Sequence, residues 1–403
     1  MRRWLILALG TGAQTAACVF VYGLPYMSDE LRHDSSLSLS QVGLVVACPT
    51  AGLVLALVAW GALADRIGER IVITAGLAAT AALLALGTQV NGLVPLGLLF
   101  ALSGAAGASV YAASGRLVMG WFSAKERGLA MGIRQTSTPL GMGVAALCIP
   151  ALSQSFGVQG PGVFCAALCA LFALLVGTLT VNPPQAKATS DTKPEEQSGT
   201  PYRNPSLWRI HGASALLCVP QFTASAFALV FLVDIRGYGA VAAGQLLALA
   251  QVLGALSRVV AGRWSDRVAS RVRPMRQLAY ATAAVLALTA LGAVWPSPAS
   301  DALLIIACGV TASTNGLAFT AVAELAGRSW SGRAMGVQNT GQNLAASLTP
   351  PLLGVLISAA GYATGFGLAA VIAGIAALAV PVPRIGRKAE ASAEPEQGAM
   401  SMT

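Results

Sequence analysis

Apolar stretches of about 20 residues recur along almost the whole chain, separated by short polar segments. Each stretch is long enough to cross a bilayer as an α-helix. The stretches are continuous rather than alternating, which argues against the strands of an outer-membrane barrel. Because a helix satisfies its own backbone hydrogen bonds in lipid, the pattern predicts an all-α polytopic membrane protein.

Twelve such stretches can be distinguished, called spans one to twelve below. Their predicted bounds are 4–26, 40–60, 71–90, 94–118, 129–152, 161–182, 207–232, 240–262, 277–295, 302–324, 335–358 and 362–382. The polar segment 183–206 divides them six and six, and its Pro, Ser, Thr and charged residues are typical of a flexible linker. We therefore predict one six-helix half at 1–182, a second at 207–383, and a polar tail at 384–403.

The basic residues are distributed unevenly between the two sides of the membrane that this count implies. With the N-terminus inside, the outer loops hold only Arg32 and Arg236, and the remaining loops and ends hold the rest of the loop arginines and lysines. Cytoplasmic loops carry such an excess, so we predict a cytoplasmic-membrane protein with both termini in the cytoplasm. These segments account for the net charge of +9, and we expect no nucleic-acid partner.

The segment "GALADRIGER" (61–70), after span two, has a weaker copy, "GRWSDRVASR" (262–271), after span eight. The aligned pairs are Gly61 with Gly262, Asp65 with Asp266, and Arg66 with Arg267. A second pair of similar segments, 128–136 and 332–340, follows spans four and ten. Its two members are separated by nearly the same number of residues as those of the first pair. This pattern indicates a parallel repeat of six spans, with two halves related by an axis along the membrane normal.

These segments resemble the loop signature of the major facilitator superfamily, which the chain also resembles in span count, linker position and repeat. The resemblance implies a secondary transporter whose two halves rock around a central site. It also implies a latch, in which Asp65 accepts hydrogen bonds from the positive end of span eleven, near residues 334–336. The predicted gating residues are Gly61, Asp65, Arg66, Gly262, Asp266 and Arg267.

Substrates of that family bind midway through the membrane between the halves, mostly on spans one, four, seven and ten. Amide and phenol groups are costly in lipid, so clusters of them on these spans and on spans five and eleven are the best candidates. The predicted substrate-binding residues are Gln14, Tyr22, Tyr111, Arg116, Gln135, Gln221, Arg258, Asn315, Gln338, Asn339 and Gln342.

Three arginines, Arg116, Arg134 and Arg258, lie inside the predicted spans, where charge is expensive and functional by default. Arg258 stands in span eight, four residues before the signature glycine. It resembles the span-eight arginine that binds carboxylate in the oxalate/formate antiporters and the monocarboxylate transporters. Alternatively, Arg258 snorkels to the inner face, and Arg116 and Arg134 form an ion-pair network with Glu126 or Glu324.

The candidate set is rich in basic and poor in acidic residues, which favours a small organic anion of carboxylate type. Proton coupling needs a titratable group inside the membrane. The candidates are Glu324 and Asp234, whereas His211 is expected at the interface. The alternative function is an efflux antiporter for apolar or cationic compounds, although span five lacks the glycine–proline spacing of the drug antiporters.

The sequence has no H-E-x-x-H motif, no P-loop and no nucleophile elbow. We therefore expect no enzymatic activity, no cofactor and no metal ion. The expected partners are a small-molecule substrate, the proton and the lipid bilayer, and the expected assembly is a monomer.

Overall fold

The computed structural model describes residues 2–28, 31, 38–183, 200–295, 297–327 and 329–382, which form helices and turns without strands. Eleven of these helices are long and apolar enough to cross a membrane. The last has 49 residues, a length of about 73 Å, which is more than twice the apolar thickness of a bilayer. Non-helical backbone at Gly361 divides it in two. The predicted all-α fold with twelve spans is confirmed.

The spans begin and end as follows. Spans one to six are Arg2–Gly23, Leu39–Ile67, Glu69–Gly87, Leu93–Trp121, Arg127–Arg134 continued by Ser137–Phe156, and Gln159–Leu179. Spans seven to ten are Pro205–Val230, Ala240–Arg267, Val272–Val294, and Pro298–Thr311 continued by Asn315–Ala326, and the helix Ser331–Ala379 supplies spans eleven and twelve. A π-helical turn, Phe231–Ile235, extends span seven. Most of the predicted linker 183–206, the tail 384–403 and Arg32 lie outside the described residues.

Span two continues to Ile67, well beyond its predicted end, so Gly61, Asp65 and Arg66 lie on its last turns rather than in a loop. The predicted boundary was wrong because charged residues do not stop a helix that has left the membrane. The only residue between spans two and three is Gly68, whose φ of 88° favours glycine. Span eight continues in the same way to Arg267.

Spans five and ten are each interrupted, span five at 135–136, after its first eight residues, and span ten at 312–314, near its middle. In span five, Pro139 has no N–H and cannot bond the carbonyl four residues earlier. In span ten, the hydroxyls of Thr311 and Ser313 donate to carbonyls three residues earlier and compete with the helical pattern. Each interruption places the start of a new helical segment deep inside the bundle.

Buried apolar residues form separate clusters in the two sets of six spans. One cluster draws only on spans one to six and their connections, and two others draw only on residues after 206. A fourth cluster joins the two sets through Val118 and Met131 on one side and Phe319 and Met335 on the other. It lies at the end of the bundle that carries residues 61–70 and 262–271, which we call the motif end.

Four glycines allow the two sets of spans to touch at the motif end. A methyl group on Gly61 would overlap the carbonyl of Gly332, and one on Gly262 would overlap the carbonyl of Gly128. Small residues let membrane helices approach to backbone contact in this way. The motif end is therefore closed in this structure.

Candidate functional site

A small cavity of about 60 Å³ lies between the two sets of spans, beside the interruptions of spans five and ten. All of the predicted substrate-binding residues except Arg116 and Gln338 line this cavity. The predicted residues that line it are Gln14, Tyr22, Tyr111, Gln135, Gln221, Arg258, Asn315, Asn339 and Gln342. No acidic side chain lines the cavity in the described part of the chain.

Arg258 is the charged residue of this cavity. Its side chain is buried, with 5% of the residue exposed, so it does not snorkel to the surface. Two of its guanidinium nitrogens, Nε and Nη1, have no hydrogen-bond partner in the described structure. A buried donor without a partner is costly, and a buried charge without a counter-ion is more so. Arg258 is therefore in place to bind an acceptor that enters the cavity.

Arg134 is a second buried arginine, but its hydrogen bonds are satisfied. Its guanidinium donates to Ser114 Oγ at 2.8 Å, to the Tyr111 carbonyl at 3.1 Å and to Gln135 Oε1 at 3.2 Å. Its charge also lies 5.5 Å from the ring centroid of Phe319. Two of these partners, Tyr111 and Gln135, line the cavity. Arg134 therefore orients cavity residues and adds positive potential without itself lining the cavity.

Amide side chains connect the spans around the cavity. Asn339 of span eleven donates to the Tyr111 carbonyl of span four at 3.2 Å, across the two sets of spans. Asn315 begins the second segment of span ten and donates to Gln221 Oε1 of span seven at 3.1 Å. The start of a helical segment carries positive partial charge, which adds to that of the arginines.

At the motif end each of the two aligned aspartates contacts the other half of the sequence, and we call these contacts the Asp65 latch and the Asp266 latch. Asp65 accepts the backbone N–H of Gly332 at 2.8 Å and of Arg333 at 3.1 Å. Asp266 accepts the N–H of Gly128 at 2.9 Å and of Leu129 at 2.8 Å. Each carboxylate thus binds the first turn of a span in the other half of the sequence. The partner of Asp65 is the start of span eleven, two residues earlier than the expected 334–336.

An arginine holds each latch aspartate. Arg116 is 2.8 Å from Asp65 and 2.7 Å from Glu69, and it lies outside the Arg258 cavity. Arg271 is 2.6 Å from Asp266 and 3.2 Å from Glu324. Arg116 therefore belongs to an ion-pair network, as the alternative interpretation had it, but its acidic partners are Asp65 and Glu69.

Other predicted residues lie apart from the cavity. Arg66 and Arg267 are exposed at the motif end. Asp234 is exposed on the π-helical turn at the far end of span seven. Glu126, proposed as a partner of Arg116, instead pairs with Arg3 at 2.7 Å. Gln338 is hydrogen-bonded to span seven rather than facing the cavity.

Sequence reasoning missed Glu69 and Arg271 as latch residues and Phe319 as a cavity residue. Arg271 had a usable signal, since it aligns with Arg70 in the repeat. Glu69 had one as well, because it is an acid four residues after Asp65 in a chain with few acids. Phe319 had none, since one phenylalanine among many apolar residues is not distinctive.

A multi-pass helical membrane protein with a polar cavity between two sets of six spans is the architecture of a carrier. The family model described as Major Facilitator Superfamily matches residues 5–350. The chain therefore belongs to the major facilitator superfamily of membrane transporters.

Similar proteins agree with this assignment. A Mycobacterium tuberculosis protein described as an uncharacterized MFS-type transporter is 43% identical over 94% of this chain and 85% of its own length. A second protein of that species, described as a probable nitrate/nitrite transporter, is 25% identical over 61% of this chain and 62% of its own. Among solved structures, the human organic anion transporter MFSD10 superposes with a TM-score of 0.73. The superposition covers 94% of this chain and 99% of the MFSD10 chain. The two sequences are 15% identical, so this similarity shows the fold alone.

Proposed function

We propose that this transporter moves a small organic anion of carboxylate type across the cytoplasmic membrane, coupled to the proton, by alternating access. The observation that carries the proposal is the buried guanidinium of Arg258, which has two nitrogens without partners. An arginine binds a carboxylate through two parallel hydrogen bonds. A carboxylate in the cavity would supply an acceptor for this guanidinium and the missing negative charge.

The surroundings of Arg258 support an anion rather than a cation. Arg134 adds a second buried positive charge next to the cavity, and no described lining residue is acidic. A cationic substrate would have to approach both charges in a medium of low dielectric constant, where repulsion is strong. The sequence relative described as a nitrate/nitrite transporter is named for anions as well.

The size of the cavity supports a small substrate. Its volume is about 60 Å³, which leaves room for only a few water-sized groups. A short monocarboxylate fits such a space, whereas a drug-sized compound does not. Cavities that hold drug-sized ligands have volumes of about 300–1,000 Å³.

The distribution of basic residues supports an orientation with the motif end and both termini in the cytoplasm. In that orientation the two latches close the cytoplasmic side. Transport then requires the latches to open and the halves to rock around the Arg258 cavity.

Substitution of Arg258 tests the proposal. Lysine keeps the charge but loses the two-pronged geometry, so Arg258→Lys should weaken anion binding, and Arg258→Ala should nearly abolish it. Loss of a buried charged partner costs about 2–5 kcal/mol, which is at least tenfold in affinity. The measurement is binding and proteoliposome uptake of a panel of short carboxylates, with folding checked by size exclusion.

The matched control is Arg263→Ala, which removes an exposed arginine five residues further along the same span. It should leave affinity unchanged. Anion binding by Arg258→Ala at wild-type affinity would refute the carboxylate site. Stabilisation of the wild-type protein by cationic or apolar compounds, and not by any carboxylate, would favour the efflux function instead.

A further inference from the structure

His211 is a buried imidazole near the start of span seven, with 8% of the residue exposed. Its Nδ1 lies 2.6 Å from Gln338 Oε1. Because the Gln338 amide nitrogen donates to Ser214, Oε1 is the acceptor, and Nδ1 carries the hydrogen. The other nitrogen, Nε2, has no hydrogen-bond partner in the described structure. The neutral ring therefore presents a free lone pair, which is a vacant site for a proton.

Hydrogen bonds connect this imidazole to the anion cavity. Gln338 bonds His211 at one end of its amide and Ser214 at the other. The Ser214 hydroxyl also accepts from the amide nitrogen of Gln342, which lines the cavity with Arg258. A change of charge at the ring can thus reorient the amides that face a bound anion. This connection also explains why Gln338, a predicted substrate-binding residue, lies outside the cavity lining.

Aromatic rings enclose His211 and suit a cationic ring. The Tyr202 ring stacks on the imidazole with centroids 6.0 Å apart and planes at 16°. Trp208 meets it nearly edge-on at 6.2 Å. Aromatic faces attract cations, most strongly where water is excluded. Burial raises the pKa of Tyr202 to about 12, so this phenol stays neutral where an imidazole titrates.

Charged groups on the adjoining elements are engaged elsewhere. Arg209 donates to the backbone carbonyls of residues 378 and 379 at the end of span twelve. Arg333 of span eleven lies over the Trp330 ring and 3.8 Å from Asp65. Glu324 of span ten pairs with Arg271. The remaining charged residues near this end, on the turn before span seven and on span nine, are Arg203, Arg273 and Arg276, all at least partly exposed.

The two acids predicted for proton coupling fit the role less well. Glu324 lies 3.2 Å from Arg271 and 3.9 Å from Arg127, so it is already paired with cationic side chains. Asp234 is exposed on the π-helical turn beyond span seven. Neither has a hydrogen-bonded connection to the cavity among the described contacts.

We propose that His211 is the proton-binding residue of this carrier and that Gln338, Ser214 and Gln342 couple its charge to the anion cavity. The inference rests on the proposed anion transport. A proton from the solution adds to Nε2 when the motif end opens, and the ring becomes a cation. The imidazolium and the anion at Arg258 then stabilise each other, so proton and anion cross together. By linkage, each ligand raises the affinity for the other by the same factor.

The test compares the pH dependence of anion binding in three proteins. In the wild type, affinity for a short carboxylate should increase about tenfold as the pH falls from about 8 to about 6. His211→Gln replaces the imidazole ring with a neutral amide. Anion binding should persist in this variant, but its affinity should no longer depend on pH in this range. The control is His33→Gln, which removes the other histidine of the sequence and should behave as the wild type.

A second measurement needs no variant. Calorimetry of wild-type protein in buffers of different ionisation enthalpy reports proton uptake, and anion binding near neutral pH should draw a fraction of a proton into the protein. Absence of uptake, or a wild-type pH dependence in His211→Gln, would overturn the role of His211 while leaving anion transport intact. Absence of anion binding at every pH would instead refute the proposed function itself.

Discussion

Asp65→Asn should destabilise the closed motif end while leaving the protein folded. The carboxylate is buried, with 2% of its side chain exposed, and it accepts two N–H groups from the other half of the sequence, at 2.8 and 3.1 Å. Hydrogen bonds to a charged group contribute about 1.5–3 kcal/mol each, against about 0.5–1.5 for a neutral acceptor. Replacing the carboxylate with a neutral amide should therefore weaken the two hydrogen bonds by about 2 kcal/mol in total.

These two bonds exist only while the motif end is closed, so their loss changes the balance between closed and open states. A difference of about 2 kcal/mol alters that ratio roughly 30-fold. The ion pair between Asp65 and Arg116 lies within one half and contributes little to this balance, because both partners move together.

Cysteine accessibility measures the shift directly. Ala323 is buried and lines a cavity of about 570 Å³ at the motif end, so Ala323→Cys reports opening in a background without the seven native cysteines. Asp65→Asn should increase its labelling rate at least tenfold. Glu126→Gln is the control, since the half-exposed pair with Arg3 lies within one half. Equal labelling in Asp65→Asn and in the parent would refute the latch.

Three further predictions follow from the same structure. Gly262→Val should increase labelling of the same reporter, because its side chain would overlap the Gly128 carbonyl; unchanged labelling would show that this contact does not hold the halves together. Arg236→Ala should cost about 3 kcal/mol of stability, since its partner Asp301, 2.8 Å away and with 14% of its side chain exposed, loses its counter-charge. A decrease in melting temperature of only a degree or so would contradict that estimate. Cysteines placed beside Arg32 or Arg236 should react with an impermeant reagent from outside, and cysteines in the segment 183–206 should not; the reverse pattern would invert the proposed topology.

The sequence predicted the spans well because each needs about 20 apolar residues, a signal that no other element produces. Most of the cavity residues were predictable for a related reason. Amides such as Gln14, Gln135 and Asn339 are costly in lipid, so they must face the interior of the bundle. The errors lie at the helix ends, where span two continues to Ile67 because nothing before Gly68 breaks the helix.

Sequence could not show which polar groups are already paired. Arg116 and Arg258 look alike as arginines within apolar runs, but one pairs with Asp65 and Glu69 and the other has partnerless nitrogens. That difference depends on which spans are neighbours and on their rotation about their own axes. His211 was assigned to the interface for the same reason, since its connection to Gln338 spans 127 residues of sequence.

The two latches differ in a way that the repeat conceals. Arg70 and Arg271 occupy aligned positions, yet Arg70 donates to the Gly177 carbonyl within its own half, whereas Arg271 holds Asp266. Arg271 also donates to the Ala124 carbonyl, at 2.6 Å, in the other half. Arg116, the functional counterpart of Arg271, bonds only groups of its own half among the contacts described. Separation of the halves therefore breaks an additional charge-assisted bond at the Asp266 latch. Each such bond contributes about 1.5–3 kcal/mol. The charged side-chain contact that crosses the halves at the Asp65 latch is the longer pair of Asp65 with Arg333, at 3.8 Å, so the weaker copy of the signature makes the shorter charged contact between the halves.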